Sequence, residues 1–185
     1  MTDPIAADRE ASAIAERVRS AFERVRRERM SGLPFVNDAL RVEVVGLRRW
    51  RGLWLGVLVT PWFMNLLLLP GDGAATDGEP PACWSSLGIG DCAAFVFPSG
   101  RFEFIAGREA EAGEYLSCSL FSPMFEFADH ETARQTAEAC LVALFDASAT
   151  TPDPGVDPKP TAVSKREFLR GRWQADAAAA MRERR

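Results

Sequence analysis

Ile14, Val18, Phe22 and Val25 recur at spacings of four, four and three, which predicts an amphipathic helix over residues 6–30 with Arg and Glu on its outer face. Ser31-Gly32 supplies a stop, and Pro34 prevents the helix from resuming. Leu40, Val42 and Val44 then alternate with Arg41 and Glu43, the period of a half-buried strand over 40–47. Trp50-Arg51-Gly52 makes a tight connection into the run that dominates the chain, Leu53 to Leu69, which carries no formal charge. Pro61 interrupts that run and argues against one continuous helix. Residues 53–60 are apolar on both alternating faces, as in a buried strand, and Met64 to Leu69 reads as a second one closed by Pro70-Gly71. The competing reading, a membrane span, needs about 20 apolar residues in an unbroken helix, and Pro61 counts against it.

Residues 71–91 are rich in Gly, Pro and Asp and read as a long loop in which Trp84 is either a plug into the core, the favoured reading, or an exposed contact. A hairpin follows over 93–97 and 101–106, turned by Pro98-Ser99-Gly100, then a strand over 114–121. Asp129 is placed to cap a helix from about His130 to Phe145, with Ala133, Ala137, Cys140, Leu141 and Leu144 along its stripe. The expected fold is α+β: a single domain with a mainly antiparallel sheet of five or six strands, packed against an N-terminal and a post-sheet helix. That domain spans 1–146, followed by a Pro-rich linker at 147–163 and a flexible basic tail at 164–185.

Composition narrows the function classes. The apolar fraction of 47% suffices for a substantial core, and the net charge of −4 gives no nucleic-acid footprint. Seven cations against three anions make the tail +4, which leaves −8 for the other residues. The N-terminus is charged and lacks an apolar segment, so a cytoplasmic protein without stable membrane insertion is expected. Cys83, Cys92, Cys118 and Cys140 show no C-x-x-C spacing, and His130 is the only histidine, so neither a metal nor another cofactor is expected.

Catalytic patterns are equally sparse. Neither GxGxxG nor GxxxxGK[ST] occurs, and Ser99 is not in a GxSxG elbow. His130, at a helix start, reads as a solvated or capping residue. Cys118 alternates with Leu116 and Leu120, a setting for burial rather than reactivity. These residues favour a binding protein over an enzyme. The candidate surface is made of Trp62, Phe63, Met64, Met124, Phe125 and Phe127, six large apolar groups at strand ends with Glu126 and Asp129 beside them. Such groups suit a groove for an apolar peptide, and the alternative, that all six belong to the core, stays open.

The same residues carry a resemblance. LPFVNDALRVEVVGLRRWRGLWLGVLVTPWFMNLLLLPG at 33–71, FPSGRFEFIAG at 97–107 and GEYLSCSLFSPMFEFAD at 113–129 resemble, in order, the HybE family of [NiFe]-hydrogenase assembly chaperones. The likeness covers roughly residues 10–146, and TPWFMN and SLFSPM are its distinctive strings. It implies a non-enzymatic cytoplasmic chaperone that binds immature hydrogenase subunits before twin-arginine export. The implied partners are the small-subunit precursor with its signal peptide and the large-subunit precursor. Some relatives carry a rubredoxin segment with paired C-x-x-C motifs; this chain has none, so no iron site is carried over.

Against that background the tail gains meaning. Ser164, Lys165, Arg166, Phe168 and Leu169 resemble a twin-arginine signal core, with Lys in place of the first Arg. No apolar stretch follows, so the segment is not expected to direct export; either it mimics the client's signal and docks in the groove of its own or a neighbouring molecule, or it is an Arg-rich amphipathic tail with incidental similarity. Two other roles fit the same residues: redox protection of the iron–sulfur small subunit through Cys118 or Cys140, and a scaffold joining two subunits. Self-association as a homodimer is left open.

Overall fold

The computed structural model describes residues 4–71 and 87–147. Trp84, the linker beyond residue 147 and the basic tail lie outside the described residues. The architecture is α+β, with six strands hydrogen-bonded antiparallel in the order β1-β2-β3-β6-β5-β4. The strands are β1 (Glu43–Trp50), β2 (Leu53–Val59), β3 (Met64–Leu69), β4 (Cys92–Phe97), β5 (Gly100–Glu109) and β6 (Gly113–Phe121). Helix α1 (Pro4–Val25), extended by a π-helical turn at Arg26–Met30, precedes the sheet, and α2 (His130–Leu144) follows it.

The two helices pack on opposite faces. Val18, Phe22 and Val25 of α1 join Trp54, Leu58 and Leu67 in one apolar cluster. Ala133, Ala137 and Leu141 of α2 join Leu55, Val57 and Leu66 in the other. This explains the uncharged run. All seven residues of β2 are buried because both its faces are covered, whereas β4 alternates exposed and buried because only one face is. The hydrophobic effect thus favours a two-faced apolar strand in the centre and a period of two towards the edge.

The edge strands β1 and β4 are not paired to each other, yet they converge around α2. The Trp50 and Phe97 rings stack at 4.3 Å with 15° between planes. The Pro98-Ser99 turn closes the same corner: Ser99 donates its N–H (3.3 Å) and its hydroxyl (2.8 Å) to the Leu144 carbonyl, one of the orphan acceptors at the end of α2.

One boundary differs from the expected strand over 40–47. Pairing begins at Glu43 opposite Val59 and continues through Arg48, Arg49 and Trp50. Leu40 and Val42 are still buried, but Asn37 and Leu40 form a turn (3.0 Å) ahead of the strand. The arginines in the added length lie over aromatic faces, Arg48 at 4.6 Å from the Phe145 ring and Arg49 at 4.2 Å from Trp54. A bulge between Val45 and Arg48 contains Gly46 at φ +62°, where a Cβ would lie 2.5 Å from Leu141 Cδ1. Glycine there allows both the turn of the strand and the close approach of α2.

Candidate functional site

Three chain segments meet at one end of the sheet, and Asn37 ties them together. Its backbone N–H donates to the Pro61 carbonyl at 2.8 Å. Its side-chain amide donates to the carbonyls of Met124 (3.0 Å) and Phe127 (2.8 Å). The side-chain oxygen accepts from Ala39 N–H at 3.1 Å, so both amide functions are used. The joined segments are the 33–40 connection, the β2–β3 turn and the loop between β6 and α2, and the last two carry the distinctive strings TPWFMN and SLFSPM.

Each joined loop also supports itself. Thr60, fully buried, accepts from Phe63 N–H (2.9 Å) and donates to the Phe63 carbonyl (2.9 Å) through its hydroxyl. That closes the Thr60–Phe63 turn around Pro61, where no ladder bond is available. Across the site, the Phe127 N–H reaches the Met124 carbonyl at 3.3 Å, and the Ser122-Pro123 peptide is cis.

This knot settles where the predicted apolar groups lie. Trp62, Met64, Met124 and Phe127 are buried, a correction to their expected place on an open groove. Met64, Met124 and Phe127 belong to the α2-side core and Trp62 to the α1-side core. Phe63 is half-buried, edge-on to Phe22 at 6.0 Å and to Trp62 at 5.7 Å. Large side chains flanking tight turns here fill the ends of two cores rather than face solvent. Phe125 is the exception: it is 62% exposed, in the loop that Asn37 pins between buried Met124 and Phe127.

Two exposed apolar residues outside the six expected from the sequence lie on the segment that carries Asn37. Phe35 (40% exposed) and Leu33 (37% exposed) lie within four residues of Asn37 on the adjoining segment. Neither was singled out from the sequence; the signal was LPF ahead of a turn-forming Asn, an apolar pair with no periodic partner. Glu126 is exposed beside Phe125. Asp129 is exposed too, but its carboxylate already caps α2, accepting from Thr132 N–H at 2.8 Å and Thr132 hydroxyl at 3.2 Å. Those bonds, led by the backbone one, hold its carboxyl below the usual carboxylate range. Glu131 is likewise engaged, drawn down to about 2 by hydrogen bonds from Arg134 and Gln135.

His130 departs from the expectation of a solvated residue. It is buried, with Nε2 2.5 Å from Glu43 Oε2 and Nδ1 accepting from Arg41 N–H at 3.3 Å. An Nδ1 that accepts places the ring hydrogen on Nε2, so the neutral tautomer donates to Glu43. Its role is to fasten the start of α2 to the start of β1.

Cys118 and Cys140 are both buried, and burial pushes the Cys140 thiol up to about 12. Neither offers the accessible thiolate that redox protection requires, which corrects that alternative. The exposed thiol among the described residues is Cys92, on β4. Among the described residues no cluster of three or more His, Cys, Asp or Glu could hold a metal ion, and no helix is long and apolar enough to cross a membrane.

Comparison with known proteins places this arrangement. The profile described as "[NiFe]-hydrogenase assembly, chaperone, HybE" matches residues 13–171. The chain is 38% identical to the hydrogenase expression/formation protein HupJ of Bradyrhizobium diazoefficiens, over 89% of this chain and 91% of that protein. It is 40% identical to the probable rubredoxin HupJ of Rhodobacter capsulatus over 68% of this chain, but spans only 42% of that relative's length. The solution structure of HybE from Escherichia coli shares the fold, with a TM-score of 0.55 and 24% identity over 82% of this chain and 86% of that one. With its sequence matched across most of its length and its six-stranded fold shared, this chain belongs to the HybE family of [NiFe]-hydrogenase assembly chaperones.

Proposed function

We propose that this protein holds an immature [NiFe]-hydrogenase subunit in the cytoplasm before twin-arginine export. Its clients are the small-subunit precursor with its signal peptide and the large-subunit precursor. The observation that carries the reading is Phe125. A phenylalanine more than half exposed, on a loop pinned by two hydrogen bonds from Asn37, is a pre-organised apolar anchor rather than a loose side chain. Phe35 and Leu33 are further exposed apolar groups, on the segment that carries Asn37, and Glu126 supplies negative charge for a signal's arginines. Exposed charge pairs contribute little each, so apolar burial supplies most of the affinity and the acid supplies orientation. Holding a precursor requires no turnover.

The tail fits the same scheme. The family match runs through residue 171 and so includes Ser164 to Arg170. Tethered to the domain, this signal-like segment competes with an arriving signal at high effective concentration. Deleting 160–185 then tightens signal-peptide binding, and an unchanged affinity removes the competition.

The test of the site is a titration of the signal-bearing small-subunit precursor against the wild-type protein, Phe125→Ser and Glu126→Gln. Phe125→Ser is expected to weaken binding at least tenfold and Glu126→Gln about threefold or less. The opposite ranking would move the energy to charge. Loss of neither leaves the surface elsewhere, and a pull-down that recovers no hydrogenase precursor overturns the reading altogether.

A further inference from the structure

The two edges of the sheet are finished differently. β1 carries a bulge, and its arginines Arg48 and Arg49 lie over aromatic rings. These are devices that discourage further pairing. β4 has none of them. Its six residues, Cys92-Ala93-Ala94-Phe95-Val96-Phe97, hold no charge and no proline, and they pair with β5 in unbroken register. Among the described residues its other side has no strand beside it.

The register fixes which groups that side presents. Ala106 N–H donates to the Asp91 carbonyl at 2.8 Å, and bonded pairs alternate along an antiparallel ladder. Ala93, Phe95 and Phe97 therefore bond towards β5, opposite Phe104, Phe102 and Gly100. The N–H and C=O groups of Cys92, Ala94 and Val96 are directed away from β5, along the open edge. The side chains of the same three residues are exposed on the sheet face, next to Ile105, which is 54% exposed.

We propose that this edge pairs with its own copy, antiparallel, with Ala94 on the two-fold axis. The occupant is argued from the strand's self-complementarity. In that register Ala94 faces Ala94 of the partner, Cys92 faces Val96 and Ala93 faces Phe95, so small side chains meet large ones on both faces of the sheet. Ala94 opposite Ala94, and Cys92 opposite Val96, are also the pairs whose open backbone groups can bond reciprocally. Centring on Phe95 instead would set Phe95 against Phe95 and bring Pro98, which has no N–H, opposite Cys92. The pairing is independent of hydrogenase clients and leaves the Phe125 loop outside the contact.

Sedimentation of the full chain across a concentration series tests it, using charge at the two-fold axis. Ala94→Lys sets two lysines directly opposite each other, and Ala94→Glu sets two glutamates, so each variant alone is expected to be monomeric. Mixed one to one they are expected to recover the dimer. Because Ala94 is exposed, circular dichroism of both variants should match the wild type. Three outcomes overturn the proposal: a wild type monomeric at all concentrations, a dimer that survives both substitutions, or a mixture that stays monomeric. Hydrogen exchange separates the remaining occupant. If the Ala94 and Val96 amides are protected equally in dilute and concentrated protein, another segment of the same chain covers the edge and self-pairing is wrong.

Discussion

The Asn37 side-chain amide donates to the Phe127 carbonyl at 2.8 Å, joining residues 90 positions apart in the chain. Its second amide hydrogen is committed to Met124 at 3.0 Å. Two main-chain carbonyls of an irregular loop thereby gain the partners that no strand or helix gives them. The exposed Phe125 is set between these two fixed points.

Asn37→Ala removes both donors, leaving the Phe127 carbonyl to find water and the Met124 carbonyl with only the longer bond from Phe127 N–H. The expected loss is about 2–3 kcal/mol of stability, from two net hydrogen bonds plus part of the desolvation penalty. Urea denaturation measures it. Asn37→Asp is the sharper variant: it keeps the size but presents an acceptor to two acceptors, so it should destabilise at least as much. A loss below about 0.5 kcal/mol in both variants would mean that the loop is held by other contacts.

Trp62→Ala is expected to act on the fold. Trp62 is 6% exposed and packs edge-on against Phe63 in the α1-side core. Truncating a buried tryptophan costs roughly 3–5 kcal/mol. Melting temperature should fall sharply, while any protein that remains folded should bind client nearly as well as the wild type. A fully stable variant with lost binding would restore Trp62 to the docking surface.

How much of this was legible in the sequence depended on which interaction decided each residue. β2, β3, β4, β5 and β6 were found within a few residues of their ends because periodicity reports local burial, and these strands obey it. Asp129 was readable as a cap for the same reason, since capping is a local contact. The exposure of strand-end residues was not readable. Trp62, Met124 and Phe127 are buried by segments distant in sequence, which the β3–β6 pairing and the Asn37 contacts bring together. His130 was misplaced likewise: its partner Glu43 is 87 positions away.

Cys140 gives a pH prediction. Burial raises its thiol from 9.0 to about 12. A folded-state value above the unfolded one means that its contribution is fully present below about pH 9. It is then lost as pH rises towards 12, because the unfolded chain ionises first. Stability should decline over that window by up to a few kcal/mol. Tyr115, also raised by burial, adds to the decline above its ordinary value of 10.0. Cys140→Ala removes the cysteine component, so the difference between the two stability–pH curves isolates it; parallel curves would show that Cys140 is accessible to water in the folded state. Thiol labelling at neutral pH gives an independent check, with fast modification expected at Cys92 and none at Cys140 before unfolding.

The β1–β2 turn supplies a stabilising prediction. Arg51 sits at φ +47° and Gly52 at φ +74°, between Trp50 and Leu53, which face each other across the hairpin. A two-residue hairpin with positive φ at both positions favours Asn-Gly, and a side chain such as Arg is strained there by roughly 1–2 kcal/mol. Arg51 recovers part of that by lying 5.0 Å from the centre of the Trp50 ring, a contact worth about 0.5 kcal/mol at an exposed site. Arg51→Asn relieves the strain and forfeits the ring contact, so a net gain of about 0.5–1 kcal/mol is expected. Arg51→Ala forfeits the contact without the relief that Asn brings and should be the least stable of the three. Thermal unfolding of the three proteins orders them, and Asn below Arg would show that the guanidinium over Trp50 outweighs the backbone.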